Sequence, residues 1–344
     1  MAGPASAWKS LCPKGIERSG LIRCGPSTQS VPGFYTRPMD VTSQVLILFL
    51  LIVVGYAARK LKAMDDAAVG HFSAFILNIS LPALILNSLQ KDFSPELLAS
   101  SGKMLLLSFV IYGAAFALAA LWTLVLRPPE KEKAVHQYSL IFSNVGFMGF
   151  PVIEAAMGRD ALFQLSIFNI PFNLLAFSVG AWLLARNSSR PLRLSWRTFV
   201  NPSVIATLVG FLAFLFSIRY PAFIAKTLKM TGDITSPLSM VVIGAVLARS
   251  PLSQVFGRWR VYVSVVARLF LVPALIWLGL RALGFRGLEL ALPVLVFAMP
   301  TAANTTILAT VYEADAGTAG ALVFLSTLAS VVSIPLIASY LMAS

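Results

Sequence analysis

Charged residues are scarce in this 344-residue sequence, since Asp, Glu, Lys and Arg together make up only 12% of it. An ordinary soluble domain has about 25% charged residues, so this chain has too few charges to cover a globular surface in water. Hydrophobic residues make up 58% of the sequence, which agrees with that conclusion. The composition therefore excludes an ordinary soluble enzyme and indicates an integral membrane protein.

Cysteine and histidine are also nearly absent. Cys12 and Cys24 both lie in the first 38 residues, outside every apolar run, which argues against a disulfide framework or a cysteine metal cluster. His71 and His136 belong to no zinc-protease or nucleophile motif, and the sequence has no phosphate-binding Walker loop. We therefore expect no metal and no cofactor, and neither an intramembrane protease nor an ATP-driven pump is favoured.

Ten long apolar runs follow one another along the chain. A helix of about 20 mainly apolar residues crosses about 30 Å of hydrocarbon, where lipid offers no partner for free backbone groups. The runs predict an all-α membrane protein with ten transmembrane helices in contact with the lipid bilayer. The predicted spans are 41–58, 69–89, 104–126, 137–156, 161–185, 200–218, 223–248, 261–281, 289–311 and 317–341.

The formal net charge is +13, but the basic residues are scattered between the apolar runs, so nucleic acid is not an expected partner. Lys and Arg are more frequent in the connections after predicted helices 1, 3, 5 and 7 than in the other connections. Basic connections are retained on the cytoplasmic side of a membrane. We therefore expect a multi-pass protein of the cell membrane, inner or plasma, with both chain ends extracytoplasmic.

The first 38 residues do not fit that orientation, because they hold five basic residues and Glu17 as their one acidic residue. They also lack the apolar core of a secretory signal. Residues 1–38 are expected to be either a disordered tail or a misassigned start, with Met39 as the alternative first residue.

Ten helices divide into two sets of five, residues 39–185 and 200–344, joined by a cytoplasmic linker at 186–199. Because five is odd, matching helices of the two sets would cross the membrane in opposite directions, which is the inverted repeat of secondary transporters. Prolines at similar offsets favour this arrangement, although proline is common in membrane helices and chance agreement stays open. They are Pro82, Pro151 and Pro171 in the first set and Pro237, Pro300 and Pro335 in the second.

Predicted helices 4 and 9 each hold a proline among small and polar residues. Proline removes a backbone donor and clashes with the carbonyl one turn earlier, so both helices are expected to be broken. Broken helices at matched positions predict a midplane binding site, since free backbone groups must line protein or a wet cavity. Alternatively, the small residues only permit close helix crossing. The residues are Ser143, Asn144, Gly146, Gly149 and Pro151 in helix 4, and Pro300, Thr301, Asn304 and Thr305 in helix 9.

Several segments of the chain resemble the auxin efflux carrier family, whose members include plant PIN auxin exporters and bacterial permeases named for malate or malonate. The resemblance extends from about Met39 to the end of the chain. The matching segments are Asn144-Val145-Gly146-Phe147-Met148-Gly149-Phe150-Pro151, Ala298-Met299-Pro300-Thr301-Ala302-Ala303-Asn304, and Pro237-Leu238-Ser239 leading to Ile243-Gly244-Ala245.

The resemblance implies two inverted five-helix repeats in which helices 4 and 9 cross near a substrate site. It also implies a scaffold domain of helices 1, 2, 6 and 7, a moving transport domain formed by the rest, and a homodimer. The family's buried helix 4 asparagine corresponds to Asn144, and its helix 9 proline to Pro300. Plant members have a proline before that asparagine where this chain has Ser143, and their long loop between helices 5 and 6 is absent here.

A small organic carboxylate anion, such as a dicarboxylate or an auxin-like acid, suits a site of this kind. Broken helices expose backbone N–H groups, and asparagine amides can donate hydrogen bonds. Arg268 in predicted helix 8 is a candidate for attracting the anion, because an intramembrane charge is a functional hypothesis by default. A structural pair or snorkelling to the interface is the alternative role. The sequence thus predicts a secondary transporter that works by an alternating-access elevator movement.

Four further residues are candidates for coupling or binding. Glu154 and Asp233, near the outer ends of helices 4 and 7, either exchange a proton for coupling or are hydrated at the interface. Asn169 and Asn173 share one face of helix 5 and either bind substrate or join helices. A sodium-coupled symporter or sodium/proton antiporter of related fold is the close alternative, although amides and hydroxyls suit a cation less well than carboxylates. A channel or a sensor is a more distant one.

Overall fold

The computed structural model describes residues 41–186, 201–249 and 258–343, and these residues are almost entirely helical. The predicted tail at 1–38 and nearly all of the predicted linker at 186–199 lie outside the described residues. The helices are α1 Val41–Lys60, α2 Asp66–Phe75, α3 Leu81–Ser88, α4 Pro95–Leu126, α5 Glu130–Ile141, α6 Phe150–Met157, α7 Ala161–Phe177, α8 Val179–Ala185, α9 Pro202–Leu215, α10 Ala222–Asp233, α11 Thr235–Arg249, α12 Trp259–Val266, α13 Val272–Ala282, α14 Leu288–Ala298, α15 Thr305–Val311 and α16 Ala316–Ala343.

Six helical stretches within the described residues are long and apolar enough to cross a bilayer. Shorter apolar helices accompany them at Val145–Met157, Pro202–Leu215 and Leu288–Ala298. The protein is therefore an all-α membrane protein that crosses the bilayer several times, which confirms the class predicted from its low charge content. The six stretches are Asp66–Ser88, Pro95–Leu126, Ala161–Ala185, Ala222–Ala248, Trp259–Ala282 and Ala316–Leu341.

Three helices contain a π turn just before a proline. In each case the residue before the proline donates its backbone N–H to the carbonyl five residues earlier. Proline cannot donate, and its ring crowds the carbonyl four residues back. The extra residue of a π turn relieves that crowding, so the helix continues through the proline. The turns are Ile76–Ser80 before Pro82, Val145–Gly149 before Pro151, and Ala267–Leu271 before Pro273.

Helices α1 and α11 pack at the closest distance that backbones allow. A Cβ atom on Gly55 would lie 1.9 Å from the Val241 carbonyl oxygen, and one on Gly244 would lie 1.9 Å from the Ile52 carbonyl oxygen. Small residues at helix contacts drive membrane helix association, because they bring the backbones into van der Waals contact. These two glycines therefore fix the separation of the two helices.

A buried aromatic cluster packs the ends of α5 and α14 against α4 and α7. Tyr112 of α4 lies at its centre, with its ring centroid 5.1 Å from that of Phe297 and 6.3 Å from that of Phe142. Phe142 in turn lies 5.8 Å from Phe172, and Tyr112 lies 6.2 Å from Phe168. Phe142 and Phe297 belong to the two interrupted helices, so the cluster sets the position of both interruptions.

Candidate functional site

The interruptions after α5 and after α14 lie side by side. Ser143 and Thr301 form an isolated antiparallel bridge between two short extended segments. The extended backbones thus satisfy each other's hydrogen-bonding groups, and the two broken stretches meet at this bridge. The hydrogen bonds of the bridge run from the Asn144 N–H to the Pro300 carbonyl at 2.8 Å and from the Ala302 N–H to the Phe142 carbonyl at 3.1 Å.

The local sequence explains why the chain is extended at these points. Met299 has φ −64° and ψ 151°, because a residue before proline is sterically pushed out of the helical region. On the other strand of the bridge, Asn144 ends the extended segment. Its side chain accepts the N–H of Phe147 at 3.4 Å, and its carbonyl accepts from Gly149 at 3.0 Å. Asn144 therefore begins the π turn that leads into Pro151 and α6.

The two helix-crossing glycines of the first interruption have different surroundings. A Cβ atom on Gly149 would lie 3.0 Å from the Val145 side chain of its own turn. A Cβ atom on Gly146 would have only the side chains of Leu77 and Leu81 within 4 Å, at 3.6 and 3.9 Å. Gly146 therefore faces the helical stretch that holds α2 and α3 at ordinary van der Waals distance, and the packing there does not require glycine at this position.

Arg268 lies where the two interruptions meet, at residues 142–144 and 299–302, a place that we call the crossing. Only 1% of its surface is exposed. Its Nη1 donates to the Leu140 carbonyl at 2.6 Å, and its Nε donates to the Met299 carbonyl at 3.2 Å. Its Nη2 donates to the hydroxyl of Ser143, and its guanidinium lies over the ring of Phe297 at 5.6 Å. Because the side chain is buried against both interruptions, it does not snorkel to the membrane surface.

Two buried polar atoms at the second interruption have no hydrogen-bond partner among the described residues, namely Thr301 Oγ1 and Asn304 Oδ1. Thr305, by contrast, uses its hydroxyl on the Ala302 carbonyl at 2.6 Å. An unpaired buried polar atom costs free energy, so these two atoms are available to bind water or a ligand.

Asn169 and Asn173 lie on α7, and the contact of this pair with another helix is made by Asn173, at the start of α9. The Asn173 amide donates to the Asn169 carbonyl at 3.0 Å, and the Asn201 amide donates to Asn173 Oδ1 at 3.0 Å. Asn169 Oδ1 is buried and has no partner among the described residues. The predicted pair is therefore brought together, although its bonded partner, Asn201, is the residue that caps the start of α9.

Glu154 and Asp233 bind the same guanidinium, that of Arg159. The Arg159 Nε lies 3.0 Å from Glu154 Oε1, and its Nη2 pairs with Asp233. Glu154 also accepts from the hydroxyl of Ser236 at 2.9 Å, and Asp233 accepts from Lys229 at 2.9 Å. Burial opposes the charge on Arg159, but Asp233 and Glu154 outweigh it and raise the pKa of the guanidinium. These carboxylates form an ion cluster of their own, without a described contact to the crossing.

No group of three or more His, Cys, Asp or Glu side chains within the described residues is arranged to hold a metal ion. The crossing offers hydroxyls, amides and one guanidinium, and this donor set is suited to an anion. It is the chemistry of these groups that decides what the site can bind.

Sequence reasoning missed two residues that complete these sites. Ser326 of α16 accepts the Thr301 N–H at 3.0 Å and so supports the second interruption. Its signal was present, since Ser326, Ser330 and Ser333 recur at helical spacing within an otherwise apolar run. Arg159 lies between the predicted spans 137–156 and 161–185, where the sequence marks it only as a basic residue of a connection. Its position five residues after Glu154 gave no sign of the contact with Asp233, 74 residues away along the chain.

Comparison with known proteins gives one family and several full-length relatives. The family model described as "Membrane transport protein" matches residues 40–191 and 185–338. A "Putative malonate transporter" of Rhizobium meliloti is 25% identical over 309 residues, covering 86% of this chain and 94% of the relative. An "Uncharacterized transporter" of Methanocaldococcus jannaschii is 25% identical over 307 residues, covering 87% and 97%. A "Probable auxin efflux carrier component 3b" of Oryza sativa subsp. japonica is 29% identical over 110 residues, covering 30% and 19%.

Proposed function

Because the chain belongs to the membrane transport protein family, in agreement with its resemblance to auxin efflux carriers, we propose that it is a secondary active transporter of a small organic carboxylate. Malonate-like dicarboxylates and auxin-like acids are the first candidates, since one relative is named for malonate and another for auxin efflux. The proposal puts the substrate at the crossing of the two interrupted helices.

One observation carries this proposal. At the point where the interruptions meet, Thr301 Oγ1 and Asn304 Oδ1 are buried without a partner in the described part of the chain, while Arg268 brings a positive charge to the same place. A bound carboxylate would accept a hydrogen bond from the Thr301 hydroxyl as it stands. It would accept a second from Asn304 once that side-chain amide turns over and brings its NH₂ group to the place of the unpaired oxygen. A sodium ion would instead need a ring of oxygen ligands, which a neighbouring guanidinium opposes.

The architecture that we propose is the inverted repeat expected from the sequence, with ten membrane-spanning segments in two sets of five. Two features support it. The family match falls in two segments that divide between residues 185 and 191, close to the expected linker. Each set would also hold one interruption, and the two interruptions pair with each other in antiparallel directions.

We propose alternating access through an elevator movement of one helix group past the other, with both chain ends outside the cytoplasm. The scaffold would consist of α1, α2, α3, α9, α10 and α11, and the moving group of the remaining helices. The ion cluster around Arg159 supports a fixed resting position of the moving group against the scaffold. It joins Glu154 of the moving group to Asp233 and Ser236 of the scaffold. Breaking it would accompany movement. Proton coupling and a homodimeric assembly remain part of this proposal.

Uptake into proteoliposomes tests the function directly. We expect saturable uptake of at least one acid from a panel of malonate, malate, succinate and indole-3-acetate, driven by an imposed gradient. Repeating the assay with a proton gradient alone and with a sodium gradient alone identifies the coupling ion. Protein-free liposomes are the control. A continuous ion current in place of saturable uptake would make the protein a channel, and uptake of none of these acids would contradict the proposed substrate class.

The proposed orientation predicts which loops face the cytoplasm. In a background with Cys12→Ser and Cys24→Ser, we expect a membrane-impermeant maleimide to label Arg286→Cys on intact cells. Lys62→Cys should be labelled only after permeabilisation, because basic connections stay inside. Both side chains are exposed, so either position is accessible to reagent on its own side. Labelling in the reverse pattern would invert the topology.

A further inference from the structure

The guanidinium of Arg268 donates hydrogen bonds to the ends of both interrupted helices. The Leu140 carbonyl belongs to the last turn of α5, and the Met299 carbonyl directly follows α14. The last carbonyls of a helix have no partner within it and carry the negative end of the helix dipole. Arg268 binds one such carbonyl from each interrupted helix, and arginine is well suited to this because its donors form a fixed fork.

The same side chain has no acidic partner among the residues that the structure describes. None of the described carboxylates lies within salt-bridge distance of Arg268, whose remaining contacts are the neutral Ser143 hydroxyl and the face of Phe297. A charge in a dry interior costs much free energy unless it is compensated. Two half-charges from helix ends offset part of that cost, but they leave a positive potential at the crossing.

We infer that Arg268 is a positioning residue that gives the crossing its preference for anions without itself binding the substrate. Three of its donor positions are already used on the protein, so the guanidinium is held in place and not free to follow a ligand. Its charge acts on a carboxylate at the neighbouring Thr301 and Asn304, where low polarity of the surroundings lets it act over several ångströms. This inference rests on the proposed function.

The contact between Ser143 and the guanidinium suggests two matched pairs of variants, one pair at each of the two residues. Ser143→Asp places a carboxylate against Arg268. The hydrogen bonds of Arg268 to the Leu140 and Met299 carbonyls remain, while the positive charge of the guanidinium is cancelled. Ser143→Asn introduces a side chain of the same size without the charge. Arg268→Gln removes the charge from the other partner, whereas Arg268→Lys keeps a positive charge at the same position.

The measurement is equilibrium binding to the purified full-length chain in detergent. Malonate is compared with malonamide, and indole-3-acetate with indole-3-acetamide, and the preference is the ratio of the Kd of the amide to that of the acid. We expect Ser143→Asp and Arg268→Gln each to lower this preference at least about tenfold, as the loss of a nearby charge predicts. Ser143→Asn and Arg268→Lys should keep most of the preference, whatever their effect on affinity itself.

Each other outcome contradicts a stated part of the inference. Equal preferences in Ser143→Asp and Ser143→Asn would show that the charge of Arg268 does not select the anion. A retained preference in Arg268→Gln would assign the Ser143→Asp effect to the new carboxylate alone. If the Ser143→Asp protein fails to fold while Ser143→Asn folds, Arg268→Gln and Arg268→Lys decide the question, and equal preferences in those two variants would contradict the inference. Wild-type protein that binds neither acid would contradict the proposed function instead.

Discussion

Replacing Asn144 with alanine is expected to reduce carboxylate uptake by about one to two orders of magnitude, because losing a buried hydrogen-bonding group costs about 1–3 kcal/mol. The Asn144 side chain accepts the Phe147 N–H where the π turn starts, and its backbone N–H holds the bridge to Pro300. Alanine keeps the backbone bond and removes the side-chain one. Initial uptake rates in proteoliposomes, normalised to the amount of reconstituted protein, measure the effect.

A second substitution separates binding from folding at this position. Asn144→Asp keeps an oxygen that can accept the Phe147 N–H, so the start of the π turn is preserved, but it adds a negative charge beside the proposed anion. We expect Asn144→Asp to lose uptake at least as completely as Asn144→Ala, and its thermal unfolding, compared with that of Asn144→Ala, measures the cost of burying the added charge. Wild-type transport by the Asp variant would place the substrate elsewhere.

Asn304→Ala is expected to lose uptake for a simpler reason. Asn304 Oδ1 has no partner among the described residues, so truncation breaks no side-chain hydrogen bond from that oxygen and should leave thermal stability unchanged. Ser166→Ala is the matched control for both sites, because the buried Ser166 hydroxyl donates to the Leu162 carbonyl of its own helix at 2.7 Å and has no other partner within the described ranges. It should keep wild-type uptake.

The sequence alone was sufficient for features that depend on nearby residues. Pro300 predicted the break after α14, since proline forces the preceding residue out of the helix. The apolar runs predicted membrane helices, and the motifs around Asn144 and Pro300 predicted the family. These are local properties of the chain, and a single segment decides each of them.

Features that join distant segments could not be predicted in the same way. Arg268 donates hydrogen bonds to residues 31 to 128 positions away, so its contact with both helix ends depends on the tertiary packing of three helices. The sequence therefore left a structural pair, snorkelling and anion attraction open. Pro151 shows a related limit: it was expected to break its helix, but a π turn carries the helix through it, and the break lies at residues 142–144 instead.

The largest effect on stability is expected at the contact between α1 and α11. Gly55→Ala and Gly244→Ala would each place a Cβ atom 1.9 Å from a carbonyl oxygen of the other helix, where real Cβ atoms stay beyond about 3.0 Å. The helices would have to separate, which loses the close packing that holds membrane helices together. Overpacking costs about 1–3 kcal/mol and occasionally more, and we expect at least 3 kcal/mol here because the obstacle is backbone. Unfolding by titration with a denaturing detergent measures the loss.

At two other helical glycines, the same substitution is expected not to lower the stability of the protein. A Cβ atom on Gly113 of α4 or on Gly279 of α13 would meet nothing within 4 Å. Glycine is about 1 kcal/mol less favourable than alanine in a helix interior, so Gly113→Ala and Gly279→Ala should leave stability unchanged or raise it. The same chemical change thus has opposite signs at the two kinds of site. Equal stability losses at all four positions would mean that helix flexibility, and not the approach of α1 to α11, explains why glycine occurs at residues 55 and 244.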